Sequence, residues 1–106
     1  MAKYLVEASY TSEGAKGVLK DGGSKRRAAA EQVIKSAGGK MEAFYFAFGP
    51  RDAFVVVDAP DQATIAAVAL AINASGSVHT TTTVLLTPEE IDQAAKKSVK
   101  YTPPGR

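Results

Sequence analysis

The stretch Met41 to Asp58, MEAFYFAFGPRDAFVVVD, constrains the fold more than any other part of the chain. Two runs of β-branched and aromatic residues flank a short break, the pattern of a β-hairpin. Phe44, Phe46 and Phe48 alternate with Ala43, Tyr45 and Ala47, and the return run from Ala53 is apolar until Asp58. Both faces of the hairpin are therefore apolar. A sheet built on it needs cover on two sides, and one layer of helices covers only one.

The connection is Gly49-Pro50-Arg51-Asp52 instead of the usual Asn-Gly or Asp-Gly. A four-residue loop over these positions sets Phe48 opposite Ala53, Tyr45 beside Val56 and Ala47 beside Phe54. Pro50 suits the first central position of a type I turn, Gly49 allows a tight entry, and Asp52 can accept hydrogen bonds from nearby backbone N–H groups. Arg51 has no such task. Its planar fork suits a carboxylate or phosphate at the mouth of a cavity.

The flanking elements follow from periodicity. Tyr4 to Tyr10 is a strand in which Tyr4, Val6, Ala8 and Tyr10 alternate with Leu5, Glu7 and Ser9. Ser12 to Leu19 makes two helical turns, Asp21-Gly22-Gly23-Ser24 breaks the helix, and it resumes near Lys25 with Ala29, Val33 and Ile34 on one face. Gly38-Gly39 stops it. Pro60 and Asp61 open a second helix with Ile65, Val68 and Ile72 on one stripe and Gly76 as its stop. Between Ala63 and Ala74 only Thr64 and Asn73 are polar, so this helix also asks for cover on more than one side. Val78 to Leu86 is the last strand. Thr87-Pro88-Glu89-Glu90 is a capping box for a helix over about Pro88 to Ser98.

The order β-α-β-β-α-β plus a terminal helix predicts an α+β, ferredoxin-like domain over residues 1–98, with 99–106 as an extended tail. Its four-stranded antiparallel sheet carries the helices on one face and leaves the other bare. An identical sheet from a second copy is the natural cover, so a homodimer or a higher multiple is expected.

Composition removes several functions. With no cysteine there is no disulfide framework and no thiolate chemistry. The 13 basic and 11 acidic residues are dispersed, and Lys25-Arg26-Arg27 lacks interleaved aromatics, so it reads as a solvated helix face and no nucleic-acid partner is expected. The opening MAKYLVEASY is a strand pattern, so no membrane association is expected and the chain is read as soluble and cytoplasmic. Gly22-Gly23-Ser24 lacks phosphate-loop or dinucleotide spacing, and no nucleophile elbow is present. His79 is the only histidine and has no partner for a metal shell, so neither cofactor nor metal is expected.

Period two and the assumed strand order place Glu7, Tyr45 and His79 on the face away from the helices, with Arg51 at the cavity mouth. The expected function is a homo-oligomeric binding protein holding a small organic ligand between paired sheets. A small dimeric-barrel enzyme, monooxygenase- or isomerase-like, and a structural assembly module without ligand are the alternatives, and fold alone does not choose among them.

An ordered set of short motifs carries a resemblance. Tyr10-Thr11-Ser12-Glu13-Gly14, Gly38-Gly39-Lys40, Gly49-x-x-Asp52, Pro60-Asp61, Ala74-Ser75-Gly76-x-Val78 and Thr87-Pro88-Glu89-Glu90 together resemble the GYD domain proteins of bacteria, over roughly residues 1–92. Arg51 stands where that family's tyrosine would be. The resemblance implies a fold similar to the dimeric α/β barrels and no established biochemical activity.

Overall fold

The β-forming runs become four strands, β1 (Ala2–Tyr10), β2 (Lys40–Phe46), β3 (Ala53–Ala59) and β4 (Val78–Leu85), in a computed structural model that describes residues 1–106. They form one antiparallel sheet in the order β2-β3-β1-β4, consistent with a ferredoxin-like α+β fold. Four helices accompany it: α1 (Ser12–Asp21), α2 (Gly23–Ser36), α3 (Gln62–Ala74) and α4 (Pro88–Ala95).

The first crossover thus holds two helices with a one-residue break, narrower than the Asp21 to Ser24 break expected. Gly22 alone turns the chain, at φ 83° and ψ 168°, a conformation open in practice to glycine only. Its N–H still closes α1 by donating to the Val18 carbonyl. The second crossover begins as the sequence predicts, with Asp61 as N-cap. α4 carries the full capping box at Thr87 and Glu90, and ends at Ala95, three residues before the expected limit.

One face of the sheet packs against α2 and α3. Tyr4 and Val6 of β1, Val55, Val57 and Ala59 of β3, and Met41 of β2 meet Ile34, Ile65 and Val68 in the main core. A smaller cluster of Ala8, Ala53 and Val78 lies apart from it, nearer the hairpin end. The alternation that buries Tyr4, Val6 and Ala8 leaves Leu5, Glu7 and Ser9 on the opposite face, which no helix covers.

The hairpin register differs from expectation by two residues. Phe46, not Phe48, faces Ala53, Tyr45 lies beside Phe54 instead of Val56, and Ala47 and Phe48 fall outside the strand. No hydrogen-bonded turn forms around Pro50; the loop closes through the Ala47 N–H, which donates to the Asp52 carbonyl at 2.8 Å. The cause lies on β1. The Asp52 N–H donates to the Ala8 carbonyl at 2.8 Å, and the Asp52 carboxylate accepts from the Tyr10 N–H at 2.8 Å. Asp52 is held to β1, so the hairpin opens into a six-residue loop and Phe48 is left fully in solvent. A slip of two preserves the face of every side chain, and both faces stay apolar as read. The bulge between Met41 and Ala43 is a further local irregularity.

Beyond Leu85 the chain leaves the sheet. α4 has no buried residue and only glancing contact with the rest, while Leu86, Ile91, Val99 and Tyr101 are exposed. The molecule is 57 Å long, and its radius of gyration of 17.0 Å exceeds the roughly 13 Å of a compact chain this size.

Candidate functional site

Between the sheet and helices α2 and α3 lies a partly open cleft of about 200 Å³. Its floor is Val6, Ala8, Ala53, Val55 and Val57, drawn from both clusters of the core, and Phe44 and Ile72, which pack against both clusters, also line it. Ala29, Ala30, Val33 and Ile34 of α2 form one wall, and Val68 and Ile72 of α3 the other. The cleft exists because four of these positions, Ala8, Ala29, Ala30 and Ala53, carry a methyl where larger side chains would close the gap. Fourteen of its sixteen lining residues are apolar, and the exceptions are Arg26 and Thr80.

Thr80 is fixed by α3. The Asn73 amide donates to the Thr80 hydroxyl at 2.9 Å and to the Ala69 carbonyl at 2.7 Å, while its own oxygen accepts the Thr80 N–H at 2.8 Å. This clamp satisfies an edge-strand N–H and holds α3 against β4.

Arg26 and Tyr10 form the polar end. Arg26 is half-buried, whereas its neighbours Lys25 and Arg27 are exposed. Burial pushes the Tyr10 phenol above its usual value of 10.0, with the Arg26 charge opposing and the Asp52 carboxylate adding to the rise. The phenol therefore stays a hydrogen-bond donor at neutral pH. A second, more polar recess of about 100 Å³ adjoins this end, sharing Tyr10, Arg26 and Val78 and bounded by Glu13, Gly14, Gly17 and Ser77. Its shape depends on the close seating of α1. Thr11 donates from its N–H and its hydroxyl to the Ser77 carbonyl, at 3.0 and 3.2 Å, and a Cβ on Gly14 would collide with that same oxygen.

The GYD domain family model matches residues 4–95, a span that takes in the sheet, the cleft walls and α4. The chain belongs to the GYD domain family. Comparison with curated proteins and with solved structures gives no match.

In this GYD domain protein the residues singled out from sequence lie elsewhere. Glu7, Tyr45 and His79 share the open face of the sheet, as period two predicted. Tyr45 pairs with Phe54, Phe54 with Glu7, and Glu7 with Thr81, whose hydroxyl donates to the Glu7 carboxylate at 3.4 Å. Tyr45 and Glu7 are thus two strands apart, about 10 Å, with Phe54 between them. His79 is exposed and pairs with Ser9, off that row. Arg51 is half-buried in the hairpin loop and lines neither recess.

Tyr10 and Arg26 line both recesses and are not among the residues the sequence singles out. The signal for Arg26 was its spacing: Ala29, Ala30 and Val33 follow at three, four and seven residues, which puts Arg26 on the core stripe of its helix. No helix of the chain is long and apolar enough to cross a membrane.

Proposed function

We propose that this GYD domain protein is a self-associating binder of a small organic molecule, held in the cleft between the sheet and α2 and α3. The observation that carries this reading is an apolar cleft of about 200 Å³ between the sheet and its helices in so small a domain. A closed, empty cavity of this size would forgo roughly 5 kcal/mol of packing, a large share of the usual 5–15 kcal/mol of net stability. Its open end lowers that figure without removing it. For scale, an apolar cavity of about 150 Å³ binds benzene, so this cleft has room for about eight carbons. Its polar groups, Arg26, Thr80 and a protonated Tyr10, suit orientation of a ligand and pair no base with a nucleophile.

Self-association is supported by surface. The accessible area of 7480 Å² exceeds the roughly 5,700 Å² of a compact 11.1 kDa monomer by more than the ~800 Å² one partner contributes to a standard interface. The excess is of the expected kind: an open sheet face with Leu5, Phe54 and Val56, an outward α3 stripe with Ala67 and Leu70, and the arm from Leu86. In this reading the open face is an interface and the cleft is the binding site.

Calorimetric titration with 1-octanol tests the reading. The protein is expected to take up one octanol per protomer, and Ala30→Leu, which fills the cleft, to abolish uptake while raising the unfolding temperature. Ala53→Val serves as a second filling variant. Absence of octanol binding, or undiminished binding by both variants, would overturn it.

A further inference from the structure

The polar end of the cleft specifies more than an apolar guest. Arg26 is half-buried and makes no ion pair within 4.0 Å, whereas the chain's three ion pairs all involve Lys3 or Lys25. Two carboxylates come near this end. One Asp52 carboxylate oxygen accepts from the Tyr10 backbone N–H, and Glu13 borders the adjoining recess from the exposed side of α1. A partly desolvated guanidinium without an ion-pair partner within 4.0 Å favours an anion, and its planar fork matches the two oxygens of a carboxylate. Tyr10 lines both recesses and supplies a phenolic O–H beside the guanidinium.

There is also room for a head group. The adjoining recess adds about 100 Å³ next to Arg26, and a Cβ placed on Gly17 at its border would meet no atom within 4 Å. The apolar and polar spaces share Tyr10, Arg26 and Val78, so one molecule can occupy both.

We propose that the cleft takes a small monocarboxylate amphiphile, with a chain or ring of about eight carbons among the alanines and valines and its carboxylate on Arg26 and the Tyr10 hydroxyl. The proposal rests on the cleft being the binding site and adds the chemical class of its occupant. A single cation at the cleft end limits the head to one carboxylate. A dicarboxylate would bury its second charge among apolar side chains.

The test compares octanoate with 1-octanol, two ligands of equal chain length, by isothermal titration at neutral pH on the full chain. Octanoate is expected to bind about ten- to a hundredfold tighter than octanol, the range of one charge-assisted contact. Arg26→Gln is expected to bring the octanoate-to-octanol preference close to one, while Arg27→Gln, at the exposed neighbour, keeps it. Glu13→Gln should raise octanoate affinity by removing a competing negative charge. Octanoate binding no tighter than octanol, or an undiminished preference in Arg26→Gln, overturns the ligand class and leaves the cleft reading standing. Failure of both ligands to bind overturns the cleft reading, and this inference with it.

Discussion

The backbone N–H of Tyr10 donates to the Asp52 carboxylate at 2.8 Å, joining the last residue of β1 to a hairpin loop 42 positions away. The Asp52 N–H returns the link to the Ala8 carbonyl. Together these bonds set where the hairpin opens, and they steady Tyr10 at the polar end of the cleft.

Asp52→Ala removes a bond to a charged acceptor and leaves the Tyr10 N–H without its partner. Such a loss costs about 2 kcal/mol. Arg51, which forms no ion pair, should be near neutral on truncation, within about 0.5 kcal/mol. Urea denaturation of both variants at equal protein concentration checks the contrast. An Arg51→Ala loss equal to that of Asp52→Ala would contradict it.

Gly14→Ala is expected to destabilise despite the better helix propensity of alanine. The added methyl meets the Ser77 carbonyl, a backbone atom that cannot rotate away, so α1 has to lift from the segment that leads into β4. Overpacking of this kind costs about 1–3 kcal/mol. Gly17→Ala, where the new methyl meets no atom within 4 Å, is the control and should be neutral or stabilising. Thermal unfolding of the pair separates packing from propensity.

The cap of α3 gives a dependence on pH. The Asp61 carboxylate accepts from the Thr64 hydroxyl and the Thr64 N–H, both at 2.8 Å, and these bonds hold its pKa below the ordinary 3.8. A lowered folded-state value means the stabilisation is complete above the unfolded value and is lost as pH falls through the folded one. Stability measured from about pH 5 down to pH 2 should therefore decline less steeply in Asp61→Asn, which keeps an acceptor that does not titrate. An unchanged slope would mean the cap makes no difference to stability in acid.

How much of this was legible in the sequence depends on how local the cause is. The face of each strand residue is legible because period two alone sets it on β1 and β4 and survives the slip of two in the hairpin, so Glu7, Tyr45 and His79 occupy the expected face. The register was not, since Asp52 is held by Ala8 and Tyr10, far away in the chain. The capping box at Thr87 and Glu90 was legible in full because every atom in it is within three residues. The cleft was hidden for the opposite reason. It is missing volume, contributed by Ala8, Ala29, Ala30 and Ala53, which converge only once β1, α2 and β3 are packed. Arg26 carried the right helical spacing, and the flanking Lys25 and Arg27 disguised it as part of a solvated run.

Assembly through the open face predicts sedimentation as a dimer, or a multiple of it, at micromolar concentration. Val56→Lys places an unpaired charge in the middle of that face and should shift the protein to monomer. Ala67→Glu, on the outward side of α3, should remove only higher multiples and leave the dimer. A stable monomer of the unaltered chain across the micromolar range would contradict the assembly.

A methyl NMR titration with octanoate locates the bound ligand, because the two faces of the sheet carry separate reporters. Val33, Val55 and Ile72 line the cleft, whereas Leu5, Val56 and Leu85 lie on the open face. Binding in the cleft gives saturable shifts at the first three and none beyond baseline at the second three. Shifts centred on Leu5 and Val56, with Val33 and Ile72 unmoved, would place the ligand between paired sheets and contradict it.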